Sequence, residues 1–217
     1  MAIAGYKVRL RKSGDSTPVT GEAMTSISAT RFQVTSSARR VLDPEVAITV
    51  YDGVTPVTPV TIEFEFGYIT LPAAPGGAVT FDGSYRPLTT DAQDIAEGTQ
   101  VSLSLSRDLL DTTVFGAAGV RSRIAALKDA EISIDVISSP AAYSSMYYEY
   151  ANGTQVCLEI DPDGASGSSE ALRAWGKIAS LERSATVDGL IESSLSFQVS
   201  ASIGAAGFNP GYAWGSL

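Results

Sequence analysis

The chain has 217 residues, 44% of them hydrophobic and only 18% charged, with 24 acidic against 15 basic side chains and a net charge of −9. It contains no histidine, which removes the commonest general base, the commonest zinc ligand and any Ser-His or Cys-His nucleophile pair. Its single cysteine, Cys157, excludes an internal disulfide and a cysteine metal cluster. The acidic balance speaks against gripping nucleic acid, because phosphate binding rests on Lys and Arg displacing counterions.

The length suits one large all-β domain or two small ones. Taken in chain order, short alternating runs separated by turn formers dominate the first third. Tyr6, Val8 and Leu10 alternate with Lys7, Arg9 and Arg11. This pattern starts almost at the first residue and leaves no apolar core of signal-peptide length, so the chain is expected to be made and folded in the cytosol. No window holds enough consecutive apolar residues for a membrane span. Residues 13–18 are a turn cluster, and 23–27 and 31–35 are short strands. Residues 47–51 and 55–58 flank Asp52-Gly53, a hairpin signal because that pair accepts positive φ. Residues 61–66 and 68–71 flank Gly67, and 78–81 lead into an expected turn at Asp82-Gly83. Turn signals at roughly eight-to-twelve-residue spacing are those of a sandwich or barrel.

Residues 87–98 form a polar connector ending in Gly98. It is either a boundary between two β-modules or a crossover between sheets of one domain. A single unit over 1–204 with an enlarged N-terminal half is favoured, followed by a tail at 205–217. Val101, Leu103 and Leu105 then alternate with Ser102, Ser104 and Ser106, and Ile132, Ile134 and Val136 with Ser133 and Asp135. A period of two places each apolar set on one sheet face. Between these strands, residues 121–128 permit a short helix. Residues 139–151 predict a firmer one: Ser139 can cap, Pro140 fits the first helical position, and Asn152-Gly153 stops it. Tyr143, Met146, Tyr147 and Tyr150 share one helical face, read as packing on the sheet rather than as a ligand box. Strands follow at 154–161, with Cys157 as a buried thiol, and at 171–186 and 190–202, joined at Asp188-Gly189. The tail holds Phe208, Tyr212 and Trp214 among glycines and is not expected to be regular. Its aromatics either dock on a neighbouring subunit or fold back on the chain.

Other motifs are read plainly. Asp161-Pro162-Asp163-Gly164 is a turn, since Glu170 falls short of a calcium-loop spacing. Gly116-Ala117-Ala118-Gly119 lacks the Gly-Lys-Ser ending of a phosphate cradle. Asn152-Gly153-Thr154 is a glycosylation acceptor only in a secreted chain. Glu63 and Glu65, two apart on an expected strand, share a solvated face. No cofactor and no metal site is expected.

The segment Asp111-Thr112-Thr113-Val114-Phe115-Gly116 between two alternating strands resembles the central signature of phage tail tube (major tail) proteins. Arg40-Val41-Leu42-Asp43-Pro44 ahead of Thr49-Val50-Tyr51-Asp52-Gly53 is similar to a segment near the front of many phage tail proteins, as are the helix and the closing pair of long strands. The resemblance covers about 97–204 well and 1–90 loosely. It implies a β-sandwich or flattened barrel of two antiparallel sheets with one flanking α-helix. It also implies a structural virion protein of the tail, assembled in the host cytoplasm. Copies would form a ring, a hexamer by resemblance, stacked into a tube that double-stranded DNA traverses. Tape-measure, tail terminator and baseplate proteins are the implied partners, with no membrane. Expected contact residues are Asp111, Thr112, Phe115, Gly116, Asp52, Gly53, Phe208, Tyr212 and Trp214. Expected bore-lining residues are Glu63, Glu65, Asp135 and Glu159. Two rival classes remain: another β-sandwich virion component (head–tail completion, decoration or adhesin protein), or a polysaccharide-degrading enzyme, which needs paired carboxylates in an aromatic cleft.

Overall fold

The computed structural model describes the backbone of residues 8–88, 94–111, 123–138, 140–161, 170–185, 191–200, 202–204, 207–209 and 211–216. Strands β1 (Val8–Lys12), β2 (Thr17–Ser26), β3 (Arg31–Val34), β4 (Thr49–Asp52), β5 (Thr55–Val57), β6 (Thr61–Glu63), β7 (Tyr68–Thr70) and β8 (Val79–Tyr85) fill the N-terminal part. Strands β9 (Asp94–Asp111) and β10 (Arg123–Ser138) precede helix α1 (Pro140–Asn152). Strands β11 (Val156–Asp161), β12 (Glu170–Ala185), β13 (Ile191–Val199), β14 (Ser202–Gly204), β15 (Gly207–Asn209) and β16 (Tyr212–Ser216) complete the chain. Among the described residues all pairings are antiparallel, as expected, in two seven-stranded sheets and a two-stranded one (β14–β15), with one α-helix.

The first sheet runs β11-β1-β9-β10-β13-β12-β16, and β11 also pairs with β12. That extra pairing closes β11, β1, β9, β10, β13 and β12 into a barrel, with β16 taking over from β13 on the same side of β12. The alternating apolar residues fill it: Ile132, Ile134, Leu158, Leu172, Leu195 and Phe197 belong to one buried cluster. The second sheet runs β5-β4-β8-β2-β3-β7-β6 around a separate cluster with Phe32, Leu42, Val50, Ile69 and Phe81. All seven of its strands lie between β1 and β9, which are neighbours in the first sheet. The second sheet is therefore an insertion into one barrel hairpin.

Local chemistry explains several elements. The hairpin at Gly53 (φ 63°) forms as expected. Helix α1 ends as expected at Gly153 (φ 61°), where the Gly153 N–H donates to Tyr150 O and the Thr154 N–H to Glu149 O, the double closure of a Schellman motif. Its face differs from expectation. Met146 is buried, but Tyr147, Tyr148 and Tyr150 stand in solvent, while Glu149 turns inward to Lys12 Nζ at 2.6 Å. A tyrosine serves either side, because its ring is apolar and its hydroxyl is wet.

Tertiary pairing overrides other local expectations. Asp82-Gly83 is not a turn but the middle of β8: Asp82 accepts from the Gly21 N–H and the Tyr51 hydroxyl. Thr17 and Pro18 open β2 instead of extending the turn cluster. The connector at 87–98 becomes strand from Asp94, and 123–128 is strand, not helix, because β10 pairs with β9 over that stretch. The tail is regular as well: β16 pairs with β12, Trp214 opposite Leu172 and Tyr212 opposite Ala174. Among the described residues no helix is long and apolar enough to cross a membrane.

Candidate assembly surfaces

Beyond the closed barrel, the four strands β9-β10-β13-β12 continue as a sheet with one polar and one apolar face. Ser104, Glu131, Gln198 and Lys177 make one row across it; Ser102, Ser133, Ser196 and Ser180 make the next; Asp135, Ser194 and Glu182 the third. Most of these side chains are exposed. Ser194 Oγ donates to Asp135 Oδ1 at 2.7 Å and Ser196 Oγ to Glu131 Oε1 at 2.5 Å, so serines orient the carboxylates along the surface. On these rows three carboxylates stand against one lysine. The opposite face packs Val101 and Leu103 on the barrel cluster, but leaves Leu105 57% exposed.

Both borders of this four-stranded sheet are open among the described residues. Past Gly98, β9 pairs only with β10, and from Lys177 to Ala185, β12 pairs only with β13. Neither stretch contains proline, and both exceed the roughly five or six residues of the commonest strands. The outer strands of the inserted sheet are different. β5 and β6 have three residues each, β5 carries Pro56, and only residues 58–60 separate them. Short strands and edge prolines are ways to prevent sheet extension.

The two sheets meet at an ionic seam. Arg86 Nε donates to Asp43 Oδ2 at 2.8 Å, its Nη2 to Glu45 Oε2 at 2.7 Å and its Nη1 to Gln155 O at 2.7 Å, and its guanidinium lies 5.5 Å from the Trp175 ring centre. Arg173 Nε donates to Glu159 Oε2 at 2.7 Å and its Nη1 to Glu65 O at 2.9 Å, with the guanidinium over Phe66; Arg11 also pairs with Glu159. Val41, Cys157 and Trp175 fill the apolar centre of the seam. The segment containing Val41, Leu42 and Asp43 is thus joint material. Burial would raise the Asp43 pKa, but hydrogen bonds from Arg86, Ser16 and the Glu45 N–H hold it below its ordinary value. Burial pushes the Cys157 thiol far up, which keeps it protonated and inert.

The expected site residues separate accordingly. Of the bore-lining candidates, only Asp135 stands exposed on the serine-rich face. Glu65 and Glu159 are 1% and 0% exposed, so neither faces a bore; Glu159 is held by two arginines inside the seam. Glu63 and Glu65 do not share a strand face: β6 ends at Glu63, which pairs with Arg31, and Glu65 lies in the following turn. Asp52 is turned toward the neighbouring loop, its carboxylate accepting the N–H groups of Gly76 and Gly77 at 2.9 and 2.6 Å. Gly53 and its neighbour Val54 are exposed at that hairpin tip, Val54 at 94%. Trp214 is 55% exposed on β16, and Tyr212 packs on the barrel cluster. Phe208 lies in β15 opposite Ile203. Asp111 ends β9; Thr112, Phe115 and Gly116 lie outside the described residues. Among the described residues no group of Asp, Glu and Cys could hold a metal ion. Arg86 and Arg173 were not singled out from sequence. A visible signal was there for Arg173, a charge in the run Ala171-Leu172-Arg173-Ala174-Trp175 that lies opposite Glu159 in the register.

No protein-family profile matches the chain, and no curated protein sequence matches it. Three similar solved structures are a tail, a virion and a tail tube. One is the tail of an empty gene transfer agent particle, refined helically with C6 symmetry (16% identity, 50% of this chain and 81% of that one, TM-score 0.41). Another is the virion of a native gene transfer agent particle (18% identity, 55% and 91%, TM-score 0.40). A third is the SPP1 tail tube (16% identity, 73% and 75%, TM-score 0.36).

Proposed function

We propose that this chain is a structural tail tube subunit, whose copies close into a ring by joining the open border of β9 in one copy to that of β12 in the next. The observation that carries this reading is the pair of long, proline-free borders on opposite sides of one four-stranded sheet, whereas the border strands of the inserted sheet have three residues each. Strand directions alternate across β9-β10-β13-β12, so β9 and β12 run oppositely and their union stays antiparallel. A head-to-tail contact that closes by rotation makes a ring.

The stagger of the borders supports a tilted barrel. Ser104 is level with Lys177 across the sheet. The centre of the open β9 stretch lies about one residue beyond Ser104, and that of the β12 stretch about three beyond Lys177 in the other direction, after one residue is allowed for the bulge near Ala179. Four residues at ~3.3 Å give ~13 Å of stagger over a four-strand repeat of ~19 Å, a tilt of about 35°, within the range of closed barrels. With six copies, the ring number implied by the resemblance, twenty-four strands at that tilt enclose a backbone barrel about 45 Å across and a bore of about 35 Å. The serine-rich face with its excess of carboxylates, turned inward, lets duplex DNA pass without adhering, because it offers few cations to displace counterions.

Rings stack into the tail of a long-tailed phage or related particle, built in the host cytoplasm. The tape-measure, terminator and baseplate proteins are its partners there. The inserted sheet, with its own core, acts as a module carried on the barrel. Electron microscopy and sedimentation of concentrated protein test this: rings or tubes are expected. A chain that stays monomeric at every concentration overturns it.

A further inference from the structure

We propose that the far end of the inserted sheet is a second contact between copies of this chain, one that joins successive rings. The inference rests on the ring reading above. The surface is made by the β4–β5 hairpin tip, with Val54 and Pro56, and by the loop with Pro72, Ala73 and Ala74, all exposed. The two segments are fastened together: Asp52 accepts the Gly76 and Gly77 N–H groups, and the Gly53 N–H donates to Ala78 O at 2.9 Å. Little conformational freedom is then left to lose on docking.

The occupant follows from charge. Each copy carries −9, so copies repel one another and associate best through neutral surface. Residues 53–62 and 66–81 contain no charged side chain. The two carboxylates at the border of this surface are both engaged internally, Asp52 by the glycine N–H groups and Asp82 by the Gly21 N–H and the Tyr51 hydroxyl. A charge-free patch whose most projecting residue is a valine 94% exposed has the composition of an interface core. Its location separates it from the ring joint. β8 starts at Val79, opposite Asp52, and ends at Tyr85 beside the seam, so the patch lies about 20 Å from the seam that fixes this module to the barrel.

The test compares wild type, Val54→Asp and Val54→Lys by electron microscopy and sedimentation, with thermal melts beside them. Both variants are expected to melt as wild type does, to keep single rings, and to shorten tubes on the order of tenfold, because a charge of either sign must be desolvated at the contact. Tubes of wild-type length overturn the inference, and so do variants that lose rings along with tubes, which would place the surface in the ring joint. A wild-type chain that forms no rings removes the ring reading itself, and this contact with it. If either variant melts early, the other carries the comparison.

Discussion

On the ring proposed above, replacing Leu105 with Ala is expected to weaken closure while leaving the fold nearly intact. Leu105 sits on the apolar face at the open border of β9, 57% exposed. Covering a leucine side chain fully is worth about 2 kcal/mol, so the neighbouring copy gains about 1.2 kcal/mol by covering the exposed part. In the proposed six-copy ring, six joints give about 7 kcal/mol, and since ring formation from six monomers depends on the fifth power of concentration at the midpoint, that midpoint rises about tenfold at 1.4 kcal/mol per decade. Within the monomer the loss is about 1 kcal/mol, a shift of a few degrees in melting temperature. Sedimentation velocity across a dilution series measures the midpoint and calorimetry the melt. A midpoint that moves less than about twofold means that β9 is not at the joint.

The seam makes stability pH-dependent. The Asp43 pKa is lowered in the folded state from an ordinary 3.8, so its contribution is present above that value and is lost as pH falls through the lower, folded value. Asp43→Asn is expected to cost about 3–5 kcal/mol at neutral pH by leaving Arg86 with one buried partner fewer, and the gap to wild type should narrow below about pH 4; denaturant melts that show a constant gap down to pH 2 refute it. Gly176→Ala should cost about 3 kcal/mol or more by overpacking, because a Cβ there would lie 2.1 Å from Gln198 O and 2.7 Å from the Phe197 ring. A variant as stable as wild type in urea shows that β12 and β13 can separate at that point.

Much of the barrel is legible in the sequence because its strands are long and half-buried. Val101, Leu103, Ile132, Ile134, Leu195 and Phe197 announce their face by period alone, since alternate side chains of a strand meet opposite surroundings. Helix α1 is legible by its ends, where Pro140 and Gly153 meet backbone demands that local chemistry sets. Its buried face was not, because tyrosine suits core and solvent alike and Glu149 found Lys12 far away in sequence. The strand at 123–128 and the tail strand β16 were illegible for a related reason: each takes its conformation from a partner strand, and the β12–β16 pairing joins residues about forty apart.

The carboxylates divide along the same line. Asp135 alternates with isoleucines and is exposed, as its period requires. Glu159 has the same kind of period, yet lies buried because the inserted sheet packs against that part of the barrel and the flanking strands β1 and β12 bring Arg11 and Arg173 to it. The sequence alone thus determined the strand-rich class, the helix ends and the two-faced character of β9, β10 and β13, since these depend on residues within one turn or one pleat of each other. Only the tertiary structure decided which borders stay open, which charges are buried and where the inserted sheet sits. Those depend on partners brought together across the whole chain, and no local periodicity encodes them.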